Sequence, residues 1–232
     1  MKRAWAVVPL FIVLVLLFLP KLFLVPSVTR ELEAELAAGL HTEALELEIK
    51  APWGWELLLG RIPSLTLAAR DASLEGVAVA QVAVEGEEIL FQPWTLFRQR
   101  ELVITRISKL TGSLTITEDA LNEMFWREVD PSRRLWLEVL PEGLAVVGTV
   151  GLWNMDLSIR VLGDVLVESG SVLGFEVKEV AVQEASLPPQ LLEVLAGSFG
   201  FTLDLGEFPL PVEVRAVELL DHEIKIQIGG QQ

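Results

Sequence analysis

Residues Leu110 to Trp126 read Leu-Thr-Gly-Ser-Leu-Thr-Ile-Thr-Glu-Asp-Ala-Leu-Asn-Glu-Met-Phe-Trp, and their period changes midway. Leu114 and Ile116 alternate with Ser113, Thr115 and Thr117, the pattern of a strand. From Leu121 onward, Met124 and Phe125 recur at helical spacing on one face. Thr117 suits the N-cap, because its hydroxyl can accept from an unpaired amide of the first turn. Glu118 and Asp119 follow at the positive end of the helix dipole, and Pro131 lies just past the end. A strand therefore feeds a short amphipathic helix in mid-chain.

The sequence on both sides is strand-like. Upstream, Leu45, Leu47 and Ile49 alternate with Glu46, Glu48 and Lys50. Strands are expected at Ile62 to Ala69, Val77 to Val84, Ile89 to Phe91 and Glu101 to Ile107, the last running into the central unit. Downstream, Leu135, Leu137 and Val139 lead to a hairpin turn at Pro141-Glu142-Gly143. Leu144 to Leu152, including Val146, is apolar on both faces, which calls for a second covering layer or a cavity wall. In the strand from Val172, Phe175 and Val177 are in one phase and Val180 and Val182 in the other. The slip predicts a bulge near Lys178, as a strongly curved sheet requires.

A second strand-to-helix unit follows. Ser186 caps it, Pro188 and Pro189 occupy the opening turn, and Leu191, Leu192 and Leu195 form the apolar face before Gly197. The chain ends in antiparallel strands around a turn at Asp221. The expected fold class is α+β: a long curved antiparallel sheet wrapping short amphipathic helices.

Lys2 and Arg3 precede an apolar run from Ala4 to Leu19, continued past Pro20 and Lys21 to Val25. As a helix, Ala4 to Val25 spans about 33 Å, enough for the hydrocarbon core. The segment reads as an N-terminal transmembrane helix or as a signal peptide cleaved after Ser27. Either reading puts the basic end inside and the body outside the cytoplasmic membrane. Val28 to Leu40 continues as an amphipathic helix, with Leu32, Leu36 and Leu40 four apart. Trp53-Gly54-Trp55-Glu56-Leu57-Leu58-Leu59-Gly60 is either a turn filling the core or an apolar lip at the lipid interface, where Trp is favoured.

The 232 residues suffice for a substantial core, and the mean hydropathy is high, +0.47. The absence of Cys excludes disulfides, thiol nucleophiles and cysteine metal sites. Net charge is -15. Without Lys2, Arg3 and Lys21 the remainder carries 15 basic against 33 acidic residues, or -18. Such a body is repelled by phosphates, so nucleic acid is not an expected partner. Any lipid must be held by apolar contact. His41 and His222 lie in no nucleophile or metal motif, and no metal or cofactor is expected. Paired carboxylates at Glu87-Glu88 and Glu118-Asp119 keep a hydrolase as a third reading only, and the chain is read as a non-enzyme.

Three features together resemble the LmeA-like phospholipid-binding family of bacterial envelope proteins. They are Leu57-Leu58-Leu59-Gly60-Arg61-Ile62 leading into strands, and Ser113 to Asn122 with its Leu121-Asn122 pair. The third is Val180-Ala181-Val182 through Leu187-Pro188-Pro189 and Phe208-Pro209-Leu210-Pro211 to the closing hairpin at Ile228. The resemblance covers roughly Leu45 to Gly229. It implies a domain similar to tubular lipid-binding proteins, with an apolar cavity for acyl chains, and no catalytic residues.

On this reading residues 1–26 are the anchor or signal peptide, 27–42 a juxtamembrane amphipathic helix and 43–232 the lipid-binding-like domain. The expected partners are membrane lipid and the cytoplasmic membrane. Expected lipid contacts are Trp53, Trp55, Leu58, Leu121, Met124, Phe125, Val146, Leu192 and Leu195. The competing reading is a non-catalytic structural or interaction module in cell-envelope assembly.

Overall fold

A computed structural model of the chain describes residues 4–74, 76–99, 103–152, 155–182, 202–206 and 208–230. The expected second helix, with Leu192 and Leu195, lies outside the described residues. The first helix, α1, runs Ala4–Gly39 without interruption through Pro20 and Pro26. The apolar segment and the amphipathic segment of the sequence are thus one helix. Pro26 has no N–H to offer the preceding turn. The hydroxyls of Ser27 and Thr29 donate to the carbonyls of Phe23 and Val25, at 2.7 and 2.8 Å. Val28, Leu32, Leu36 and Leu40 form one fully buried row, each stabilising the docked helix by about 1.5–3 kcal/mol through burial. Among the described residues, no helix is long and apolar enough to cross a membrane.

The strands that follow are β1 (Ala44–Lys50), β2 (Arg61–Leu74), β3 (Val77–Phe91) and β4 (Ile104–Thr117). Single helical turns or short helices, α2 (Trp55–Leu58) and α3 (Pro93–Gln99), connect β1 to β2 and β3 to β4. Helix α4 (Glu118–Glu128) then leads to β5 (Leu135–Leu140), β6 (Gly143–Leu152), β7 (Met155–Ser169), β8 (Val172–Val182) and β9 (Thr202–Asp204). The closing hairpin is β10 (Glu213–Leu220) with β11 (Glu223–Gly230). All pairings are antiparallel.

The strands do not make the single long sheet expected from the sequence. They form a six-stranded sheet, β1-β2-β3-β4-β11-β10, and a five-stranded sheet, β5-β6-β7-β8-β9. Their apolar faces share one core.

The first sheet curls because its strands change face together. Ile62, Ile89 and Ile107 are buried, and so are Leu65, Gly86 and Leu110, three residues away rather than two. The register across β2, β3 and most of β4 is unchanged there, so this is a shared kink. A second kink separates Ala69 and Val82 from Ala72 and Val79. Asp71 and Glu88 adopt positive φ at these two places, 51° and 53°. The two strands predicted over Val77 to Phe91 are therefore one kinked strand. In the second sheet the bulge predicted near Lys178 is present: Leu162 pairs with Glu179 and Gly163 with Val177. Gly163 is required there, since a Cβ would lie 2.6 Å from the Phe175 ring.

The separation of the sheets has a specific cause in α4. Thr117 caps it, accepting from Ala120 N at 3.4 Å, as the sequence predicts. One polar stripe of the segment, Glu118, Asn122, Trp126 and Asp130, then covers the open edge of β5. Asn122 accepts from Leu137 N at 2.7 Å and donates to Leu137 O at 2.9 Å. Glu118 accepts from Val139 N at 2.7 Å. Trp126 Nε1 donates to Leu135 O, and Leu135 N donates to Asp130, at 2.6 and 2.7 Å. The backbone N–H of His222 completes the edge by donating to Val139 O at 3.2 Å. The match is geometric: four helical residues rise about 6 Å, close to the ~6.7 Å between alternate residues of a strand. A helix edge takes the place of a further strand and leaves no free pairing edge on β5.

Two ionisable groups in this seam give a pH dependence. The His222 imidazole is held above its ordinary range by its hydrogen bond and charge attraction to Glu118, with Asp221 and Asp119 adding. A raised pKa contributes stability that is complete at acidic pH and lost as pH rises through the folded-state value. Burial pushes the Asp130 carboxyl up, but hydrogen bonds from Ser132 and from the backbone of Leu135, Arg134 and Ser132 outweigh it and hold it low. Its contribution is present above the ordinary carboxylate range and lost as pH falls through the depressed value. His222→Gln should therefore flatten the decline in denaturant midpoint on the alkaline side of the ordinary histidine range. Asp130→Asn should flatten the acid limb. Titrations of both variants against the parent chain check the assignment.

Candidate functional site

The sequence-predicted contacts fall at two places. At one end of the first sheet, α2 follows β1, α3 follows β3, and α1 passes beside α2. Gly54 fits this junction because its φ is +77° and a Cβ would lie 2.6 Å from Lys21 N. Phe91 N donates to Gly60 O at 2.8 Å, which sets α3 beside α2. Leu57 is buried and anchors the turn. Trp53, Trp55 and Leu58 are exposed, as a lip would be. Leu59 of the same stretch is 82% exposed, and the sequence reading missed their neighbours Trp94, at 67%, and Leu22 and Phe23 of α1, at 70% and 67% exposure. The Leu58-Leu59 pair beside Gly60 was a usable signal. Trp94 was not, because Pro93 to Phe97 read as a connection.

The second place is the interior near α4. Leu121, Met124, Phe125 and Val146 are all buried. An almost wholly apolar cavity lies between the sheets, lined among others by Ile116, Leu121, Leu144, Phe175, Leu203 and Ile226. Its volume is about 20 Å³, room for roughly one water. Of the predicted residues that are described, only Leu121 lines it; Met124, Phe125 and Val146 pack in the surrounding core.

The lip and this cavity are not one site. β4 runs from Ile104, beside α3, to Thr117, at the start of α4. Its length is 14 residues, about 45 Å along the strand. A larger depression of about 770 Å³ opens on the outer face of the first sheet, where Glu85, Lys109, Arg215 and Lys225 place charges beside apolar surface. It is open and charged, unlike the dry interior.

Neither histidine is buried, and His222 serves the β5 seam. Among the described residues no group of three or more acidic, histidine or cysteine side chains could hold a metal ion.

No curated protein and no solved structure matches the chain significantly. A family model does match, described as LmeA-like phospholipid-binding, over residues 22–228. That span takes in both the exposed apolar end and the apolar interior, and the chain belongs to the LmeA-like phospholipid-binding family.

Proposed function

We propose that the protein binds phospholipid, with acyl chains held between its two sheets, and that it works as a non-enzymatic carrier or holder of envelope lipid. Family membership over residues 22–228 is the observation that carries this reading. The apolar faces of both sheets support it: Leu144, Val146, Ile159 and Val161 oppose Leu114, Ile116, Ile224 and Ile226 in one core. Burying apolar surface yields about 25 cal/mol per Å², so a chain in a dry groove needs no ion pair. The body is tubular-lipid-binding-like and tethered outside the cytoplasmic membrane by the apolar start of α1, Ala4 to Leu19.

The near-filled interior favours the competing reading of a structural or interaction module. Ligand pockets run to about 300–1,000 Å³, and the cavity here is about 20 Å³. Lipid uptake therefore requires the sheets to part. A phospholipid carrying a diazirine at its acyl terminus tests this with the full-length chain in vesicles. Binding between the sheets gives adducts on inner-face residues such as Leu121, Val146 and Phe175. Adducts confined to α1 and the exposed end would mean bilayer contact without uptake, and the structural reading would replace this one. Leu121→Ala should widen the cavity and increase inner adducts while costing about 2–5 kcal/mol in a denaturant melt.

A further inference from the structure

We propose that the end formed by α1, α2 and α3 is a bilayer-docking face that sits in the lipid–water interface. This goes beyond lipid uptake between the sheets and does not depend on it. Exposed apolar side chains are concentrated there. Of the twelve large apolar residues exposed on the described surface, Leu19, Leu22, Phe23, Trp53, Trp55, Leu58, Leu59, Leu90 and Trp94 are at this end. Only Trp136, Leu166 and Val167 lie elsewhere. A soluble surface scatters such residues singly, and a cluster marks an interaction site.

The occupant is identified by three observations. Three of the nine are Trp, whose amphipathic ring favours the membrane interface over either water or hydrocarbon. The end carries basic side chains, Lys21, Arg61 and Arg98, with Arg61 paired to Glu88, in a chain of net charge -15. Arg98 lies over the Trp94 ring, 4.6 Å from its centroid, so an exposed tryptophan carries a cation at the level of phosphate groups. Helix α1 also continues past this end toward Ala4, and its sequence there is wholly apolar. A protein partner would leave that continuation unexplained, whereas a bilayer accommodates both. The acidic body, at the other end of a sheet about 45 Å long, is held off the surface by its own charge.

The chain contains no cysteine, so single labels can be placed without background. Leu59→Cys and Trp94→Cys report the proposed face, and Leu166→Cys reports a distant exposed site. Each full-length variant is labelled with an environment-sensitive fluorophore and reconstituted into phosphatidylcholine–phosphatidylglycerol vesicles. Circular dichroism checks that each folds as the parent does. Labels at 59 and 94 should emit further to the blue than the label at 166. Lipids spin-labelled near the head group should quench them several-fold more. Equal emission and quenching at all three positions would overturn the proposal. So would shielding at 59 and 94 without quenching by lipid, which would reveal a protein contact. Photo-adducts between the sheets are scored separately, so either proposal can fail alone.

Discussion

Asn122→Ala should destabilise the protein by about 2–6 kcal/mol, because it strips two buried backbone groups of their partners at about 1–3 kcal/mol each. Those groups are the N–H and C=O of Leu137, whose residue is fully buried. Alanine can replace neither bond, and water does not reach the position. Each kcal/mol lowers the melting temperature by about 2–4 °C for a domain of this size. Glu123→Ala, one residue along on the exposed face, should change stability by no more than about 0.5 kcal/mol. Thermal and urea melts of both variants would decide the matter. Equal melting of the two would mean that α4 is not what closes the β5 edge.

Phe125→Ala should cost about 3–5 kcal/mol through lost burial and the cavity left behind. Phe125 is among the largest fully buried side chains and lies on the apolar face of α4, flanking the stripe that pairs with β5. An 11-residue helix is marginal without tertiary packing, so this loss should also loosen Asn122 and Trp126 from β5. The two variants should therefore be coupled: the double variant should lose less than the sum of the single losses, because the seam is already weakened. Strict additivity in a double-mutant cycle would show that the two faces of α4 act independently.

Periodicity found the elements because each depends on neighbours along the chain. Alternation over Leu45 to Ile49 gave β1, the change of period at Thr117 gave the cap and start of α4, and the phase slip beside Lys178 gave the bulge in β8. Each is a local matter of which face a side chain presents. The joining of Val77 to Phe91 into one strand escaped that logic, because a shared kink reverses the burial phase just as a turn would.

Long-range pairing was decided by the tertiary structure. Nothing in Leu135 to Leu140 says that its open edge meets a helix rather than another strand, since both satisfy the same backbone groups. That choice rests on Glu118, Asn122, Trp126 and Asp130 arriving at matched spacing, and it splits one expected sheet into two. The candidate site followed the same division. Composition showed a high mean hydropathy, and Trp53, Trp55 and Leu58 were legible only as either a turn filling the core or an exposed lip. Their assembly with Leu22, Phe23, Leu59 and Trp94, and their separation from Leu121 by the length of β4, came only from packing α1, α2 and α3 together. A sequence fixes which residues are apolar; which of them water still reaches depends on what the rest of the chain covers.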